Sequence, residues 1–78
     1  MTDVKTIDIS LKGKDDINAL VNITNRYPYT ICLRQGRFVV DGKSILGVCS
    51  LSRSMPLTVE IYADDCGHLM DDLSPFMA

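Results

Sequence analysis

Apolar residues alternate with polar ones in some segments of this chain and recur every three or four residues in others. Alternation, or a short run of residues that favour extended backbone, predicts strands over residues 4–11, 29–34, 37–40 and 57–63, each with one buried face. Helical spacing predicts helices that begin near Asp15, Ser44 and Asp64. The order strand, helix, strand, strand, helix, strand, helix predicts one α+β domain over residues 1–78. We expect an open-faced sandwich, a four-stranded antiparallel sheet with helices on one face.

The composition and the charge exclude several functional classes. The 78 residues include eight basic and ten acidic side chains, with a formal net charge of −2, whereas nucleic-acid-binding domains usually carry a clear basic excess. No apolar run approaches the roughly 18 residues of a membrane helix, and Met1–Lys5 has no secretory pattern. We therefore expect a cytoplasmic protein that binds neither nucleic acid nor a membrane.

The potential metal ligands are scattered along the chain. The three cysteines have no CxxC spacing, which argues against a disulfide framework or a zinc site, and Cys32 and Cys49 are expected to be small core residues. His68, the only histidine, has no second ligand at zinc spacing. The pair Asp64-Asp65 is expected to cap the last helix, and Asp71-Asp72 to lie on its solvated face. The sequence predicts no metal and no cofactor.

Residues 40–51 predict the end of a strand, a turn and a short helix. Asp41-Gly42 is a strong turn signal. Ser44 stands where an N-cap residue is expected, with its hydroxyl able to accept a hydrogen bond from the first helical amides. Ile45, Val48 and Cys49 follow at the spacing of one buried helical stripe.

The segment Lys43–Leu51, Lys-Ser-Ile-Leu-Gly-Val-Cys-Ser-Leu, resembles the regulatory-site region of the HPr family, the small histidine phosphocarriers of the bacterial sugar phosphotransferase system. The alignment from Arg26 to Leu51 needs no gap. In that family, a serine at the Ser44 position is phosphorylated by an ATP-dependent kinase in low-GC Gram-positive bacteria. Ser44 is therefore either an N-cap residue alone or an N-cap residue that is also a regulatory phosphorylation site.

A candidate partner-binding surface surrounds the short helix. Its residues are Leu46, Gly47, Leu51 and Met55. One stripe of a short helix cannot bury every apolar residue in this segment, so part of it can form an exposed docking patch; the alternative is burial against Tyr27 or Phe38. The resemblance implies protein partners, which include phosphotransferase-system components, a serine kinase or a transcriptional regulator.

The carrier histidine of the HPr family is missing. Counting back from Ser44 without gaps places Gly13 at the histidine position, Asp15 at the arginine position and Asp16 at the proline position of the family's Gly-x-His-x-Arg-Pro-like motif. The chemistry needs an imidazole nucleophile, with helix amides and a cation to hold the phosphoryl group. We expect Asp15 or Asp16 to cap the helix and to repel phosphate. The predicted degenerate carrier site is Gly13, Lys14, Asp15 and Asp16.

Three hypotheses about function remain open from the sequence. The first is an HPr-like regulatory or binding module that is not an enzyme and carries no phosphoryl group on a histidine. The second is a phosphotransferase-system phosphocarrier with an unconventional acceptor, His68 or an aspartate. The third is an unrelated small α+β domain, which a different strand order would support.

Overall fold

The computed structural model describes residues 4–52 and 54–77, and it contains every strand and helix that the sequence predicts. The elements are β1 (Val4–Ile9), α1 (Lys14–Thr24), β2 (Ile31–Gln35), β3 (Phe38–Asp41), α2 (Ile45–Cys49), β4 (Leu57–Tyr62), α3 (Gly67–Leu73) and a 3-10 turn (Ser74–Phe76). Met1–Asp3, part of the segment examined above for a secretory pattern, and Arg53, in the loop before β4, lie outside the described residues.

The four strands form one antiparallel sheet in the order β1-β4-β2-β3. The central strand β4 pairs along its length with β1, from Val4 opposite Tyr62 to Ile9 opposite Leu57. The predicted fold class is therefore confirmed. β1 and β3 are therefore the two edge strands of the sheet.

The core lies between one face of the sheet and the helices. Alternate residues of the strands are buried because successive side chains of a strand point to opposite faces; they are Ile9, Ile31, Leu33, Leu57, Val59 and Ile61. The helices contribute Ile17, Leu20, Val48, Leu69 and Leu73. Full burial of one such side chain contributes roughly 1.5–3 kcal/mol, so this layer dominates the stability of a small domain.

The hairpin between β2 and β3 has a two-residue loop, Gly36-Arg37. Gly36 has a φ of 60°, the left-handed conformation that glycine adopts without strain. A glycine at the first central position is typical of a type II′ turn, whose twist matches that of the flanking strands. The hairpin therefore fixes the pairing of Gln35 with Phe38 and the register of the edge strand.

The starts and the buried faces of the short helices differ in part from the prediction. Cys49 and Ile45 are exposed rather than buried, because α2 has only five residues and its one buried side chain is Val48. Cys32 is half-buried. The pair Asp64-Asp65 is expected to cap α3, but Cys66 is its N-cap residue and makes no side-chain capping bond. Asp65 nevertheless accepts a hydrogen bond, through Oδ1, from the amide of Gly67, the first residue of α3, at 3.4 Å.

The end of the chain also departs from the predicted helix. The helical spacing of Leu69, Met70, Leu73 and Met77 predicts that all four face inward. Met77 is instead 45% exposed, because α3 ends at Leu73 and a 3-10 turn containing Pro75 follows it. Met77 instead forms an isolated bridge with Ile9. No helix among the described residues is both long and apolar enough to cross a membrane.

Candidate functional site

Ser44 is the N-cap residue of α2, as predicted. Its backbone is extended, with φ −101° and ψ 117°, and its Oγ accepts a hydrogen bond from the Gly47 amide at 3.2 Å. Its carbonyl oxygen accepts the first helical bond, from the Val48 amide at 2.9 Å. The half-buried hydroxyl group thus satisfies one of the amides that a helix start leaves unpaired.

The turn before Ser44 is held by the C-terminal end of α1. The hydroxyl group of Thr24, which is fully buried, donates a hydrogen bond to the carbonyl oxygen of Gly42 at 2.7 Å. The Asn25 side chain donates to the carbonyl oxygen of Lys43 at 3.0 Å. On the other side, the Gly42 amide donates to the carbonyl oxygen of Ile31 at 2.8 Å. The turn is therefore attached to α1 and to β2 at once.

Lys43 and Tyr27 connect this turn to α3. The Lys43 ammonium group donates to the carbonyl oxygen of Tyr27 at 2.6 Å, and the Tyr27 hydroxyl group donates to the Asp72 carboxylate at 2.5 Å. The hydrogen bond to Asp72, with burial as a smaller cause, raises the pKa of Tyr27 from 10.0 to about 12. The bond between Tyr27 and Asp72 therefore favours the neutral phenol in the folded protein.

This pKa shift predicts a loss of stability at alkaline pH. Because the pKa of Tyr27 is higher in the folded protein, its stabilising contribution is complete below pH 10.0 and is lost as the pH rises to about 12. We expect the urea midpoint of the wild type to fall more steeply between roughly pH 10 and pH 12 than that of Tyr27→Phe. Equal falls in both proteins would contradict this assignment, because the other ionisable groups are common to them.

A buried glutamine holds the loop that follows α2. Gln35 is 7% exposed. Its side-chain amide donates to the carbonyl oxygens of Ser52 at 2.7 Å and Met55 at 3.2 Å, and its side-chain oxygen accepts from the Ser52 amide at 2.8 Å. Gln35 falls between the predicted strands 29–34 and 37–40, so its role was missed, because a polar residue beside a glycine gives no sign of burial.

The predicted partner-binding residues divide into exposed and buried ones. Leu46 is 82% exposed and Met55 is 54% exposed, while Gly47 is half-buried and would place a Cβ 3.3 Å from that of Val40. Leu51 is only 8% exposed and belongs to the core. Its inclusion in an exposed surface was wrong, because the chain after α2 turns inward to reach β4. We call Leu46, Gly47 and Met55 the α2 surface.

Gly13 is the N-cap residue of α1, at the position predicted for the degenerate carrier site. Its carbonyl oxygen accepts from the Ile17 amide at 3.1 Å, and no side chain caps the helix. The expected cap by Asp15 or Asp16 is therefore wrong: Asp16 instead accepts a hydrogen bond from the Lys12 amide at 2.8 Å, and Asp15 is exposed. Both carboxylates nevertheless lie in the first turn of α1, together with Lys14.

The structure separates the two predicted sites. Ser44 follows the turn bound by Thr24, whereas Gly13 lies at the other end of α1; eleven residues at 1.5 Å each give ~16 Å along the helix axis. His68, exposed in the first turn of α3, follows the end of β4 that lies opposite Val4. It is therefore near the end of the molecule opposite Gly13, and the fold does not bring it to the carrier position.

The described residues hold no cluster of metal ligands. No group of three or more His, Cys, Asp or Glu side chains that could bind a metal ion is found within residues 4–52 and 54–77.

Comparison with known proteins identifies the fold. No protein-family model and no curated protein matches the chain. Its structure is similar to the crystal structure of the phosphocarrier protein HPr from Bacillus anthracis str. Ames, with a TM-score of 0.74 and 21% identity over 99% of this chain and 98% of that one. It is also similar to HPr-C-His from Thermoanaerobacter tengcongensis, with a TM-score of 0.73 and 20% identity over 94% and 88%. The chain therefore has the HPr fold.

Proposed function

We propose that this chain is a binding or regulatory module of the HPr family that has lost the phosphoacceptor histidine and acts through protein partners. The observation that carries the proposal is Gly13 at the N-cap of α1 in an HPr fold. A glycine there offers no imidazole nitrogen, so the nucleophile of phosphocarrier chemistry is missing at that position.

The electrostatics of this helix end support the same proposal. Asp15 and Asp16 lie in the first turn of α1, where a carrier would hold the phosphoryl group on helix amides. A phosphoryl group carries nearly two negative charges at neutral pH. Two carboxylates at this position oppose its binding, while they interact favourably with the helix dipole.

The α2 surface is the proposed docking site. Leu46 exposes 82% of its area to solvent and Met55 exposes 54%, so both can be buried by a partner without rearrangement of the core. The partner is a protein, which by resemblance to the HPr family is a phosphotransferase-system component, a serine kinase or a transcriptional regulator. In most interfaces a few residues that become fully desolvated in a pocket of the partner carry most of the binding energy.

Phosphorylation of Ser44 is the proposed switch of this docking site. The Ser44 hydroxyl group already accepts a bond from the Gly47 amide, and a phosphate there would add strong acceptors at the positive end of α2. It would also place roughly two negative charges one residue away from Ile45 and two from Leu46. Docking of a partner on the α2 surface would then require desolvation of the phosphate, and this cost would lower the affinity.

Intact mass after two separate incubations tests the proposal. One incubation contains phosphoenolpyruvate with enzyme I, and the other contains ATP with HPr serine kinase; wild type, Ser44→Ala and His68→Ala are compared. We expect one phosphate from ATP, absent in Ser44→Ala, and none from phosphoenolpyruvate. An acid-labile phosphate from phosphoenolpyruvate would overturn the proposal in favour of a carrier with an unconventional acceptor, and its loss in His68→Ala would identify that acceptor. If ATP adds no phosphate, the proposed switch at Ser44 is wrong. The proposed docking site is then tested by the substitution described next.

A substitution in the α2 surface separates binding from folding. We expect Leu46→Ser to change the free energy of unfolding by less than about 0.5 kcal/mol, because the side chain is largely exposed. Its affinity for immobilised enzyme I or HPr serine kinase should fall by about tenfold or more, which corresponds to ~1.4 kcal/mol. Val4→Ser, at a 46% exposed residue of β1, is the control and should bind as the wild type does. Equal affinities of all three proteins would exclude the α2 surface as the docking site for these probes.

A further inference from the structure

The edge strand β3 has exposed apolar side chains and one unpaired side. It is the last strand of the sheet, and within residues 4–52 and 54–77 it pairs only with β2. Phe38 is 69% exposed and Val39 is 47% exposed. An edge strand of this kind presents backbone donors and acceptors that another strand can pair with.

The opposite edge of the sheet carries a protective feature that β3 lacks. In β1, Lys5 lies on the same face as Ile7 and Ile9, opposite the buried Ile61. A charged residue that points toward the core side of an edge strand discourages pairing with another sheet, because its charge would be buried. The first three residues of β3, Phe-Val-Val, contain no charge and no proline.

The hydrogen-bond pattern of the hairpin shows which groups of β3 point outward. The Gly42 amide donates to the Ile31 carbonyl oxygen, so residues 31 and 42 form a hydrogen-bonded pair. Such pairs alternate along an antiparallel ladder; the next ones are Leu33 with Val40 and Gln35 with Phe38. Val39 lies between them, and its amide and carbonyl groups therefore point away from β2.

We propose that β3 pairs antiparallel with β3 of a second copy of this chain, with the two-fold axis at Val39. In this register, Val39 exchanges two backbone hydrogen bonds with Val39 of the partner subunit. Phe38 then lies opposite Val40 of the partner subunit, on the helix side of the sheet, and Val40 lies opposite the partner's Phe38. The pairing joins two four-stranded sheets into one of eight strands. Every contact is made twice, as a two-fold interface requires.

The charges at the ends of β3 agree with this register. Arg37 lies two residues before Val39 and Asp41 two residues after it, so each Arg37 faces Asp41 of the partner subunit on the same side of the sheet. The Oδ1 atom of Asp41 accepts a bond from the Lys43 amide at 2.9 Å, and its second oxygen can accept from arginine. Two such exposed ion pairs contribute little affinity, but they disfavour other registers.

The short strand limits the strength of this association. β3 has four residues, and a strand pair of that length buries far less than the roughly 1,200–2,000 Å² of a stable interface. The dimer is therefore weak, and the fraction of paired chains depends on protein concentration. At low concentration the monomer prevails and the docking function of the α2 surface is unaffected.

Sedimentation across a concentration series tests the proposal. We expect the weight-average mass of the wild type to rise from the monomer value toward twice that value between roughly 10 µM and a few mM. Val39→Lys should stay monomeric, because it places two ammonium groups opposite each other at the axis. Val4→Lys is the matched control, since Val4 is also on the outer face of an edge strand and is 46% exposed; it should associate as the wild type does. A monomeric wild type throughout, or equal effects of both substitutions, would overturn the proposal.

A second variant tests the register without touching the strand. Arg37→Glu lies in the hairpin loop and would face Asp41 of the partner subunit with like charge, so its dimerisation constant should weaken by about threefold or more at low salt and recover partly at high salt. In the wild type, hydrogen exchange of the Val39 amide should slow at high protein concentration. Unchanged exchange in a sample that sediments as a dimer would place the interface elsewhere and overturn the β3 assignment.

Discussion

Three substitutions at the start of α1 are expected to make this chain a phosphoryl acceptor. In Gly13→His/Asp15→Arg/Asp16→Pro, an imidazole occupies the N-cap position and an arginine replaces the first carboxylate. Gly13 has extended backbone angles that any residue adopts, and a Cβ there would have nothing within 4 Å. Proline is tolerated in the first turn of a helix, whose amides have no helical partner. We expect one acid-labile phosphate per chain from phosphoenolpyruvate and enzyme I, measured by intact mass.

The single substitution Gly13→His is the control for the electrostatic part of this argument. It supplies the nucleophile but keeps both carboxylates, so its rate of phosphorylation should be lower than that of the triple variant by about tenfold or more, or ~1.4 kcal/mol in the barrier. A folded triple variant that gains no phosphate would contradict our account of the α1 site. It would indicate that contacts with enzyme I, and not the phosphate-binding residues, prevent the transfer.

Gly42→Ala is expected to destabilise the protein by about 1–3 kcal/mol, the usual cost of forcing an extra methyl group into a packed site. An added Cβ at Gly42 would lie 2.9 Å from the carbonyl oxygen of Ile31 and 3.1 Å from its Cγ2 atom. The same turn accepts the buried hydrogen bond from Thr24, so a shift of the backbone would weaken that bond as well. For a domain of this size the total stability is only ~3–5 kcal/mol, and the midpoint of urea unfolding should fall accordingly.

Gly67→Ala is the matched control for this substitution. Gly67 is the first residue of α3, and the nearest atom to an added Cβ there is an Asp65 oxygen at 3.9 Å, an ordinary contact. Alanine favours helices more than glycine does, so this variant should be as stable as the wild type or slightly more stable. If both alanine variants unfolded at the wild-type midpoint, the close approach of Gly42 to β2 would not contribute to the free energy of unfolding.

The sequence was sufficient to predict the elements, their order and the capping role of Ser44. Alternation and helical spacing reflect which side of an element is buried, and that is a local property of the pattern. The capping role of Ser44 was also predictable, because a serine after Asp-Gly and before an apolar run is a strong local signal. The resemblance to HPr sharpened the expected topology, and the fold confirms it.

The sequence could not show how distant segments hold the site. Gln35 and Thr24 are buried because their hydrogen-bond partners, 17 and 18 residues away in sequence, meet them in the fold. Asp16 bonds back to Lys12 instead of capping α1, a choice between two local geometries that residue types alone do not decide. Leu51, expected on the surface, is buried, and Cys49, expected in the core, is exposed. The reason is similar, because the neighbouring elements set how deeply a five-residue helix packs.

The attachment of α2 at both ends has a consequence for how this protein can diversify. A helix of five residues has almost no stability of its own, and here Thr24, Asn25 and Gln35 bind the loops on either side of it from underneath. The outward residue Leu46 therefore contributes little to folding. Substitutions there can accumulate without loss of the native state, so that descendants of this chain can change partners while their scaffold stays the same.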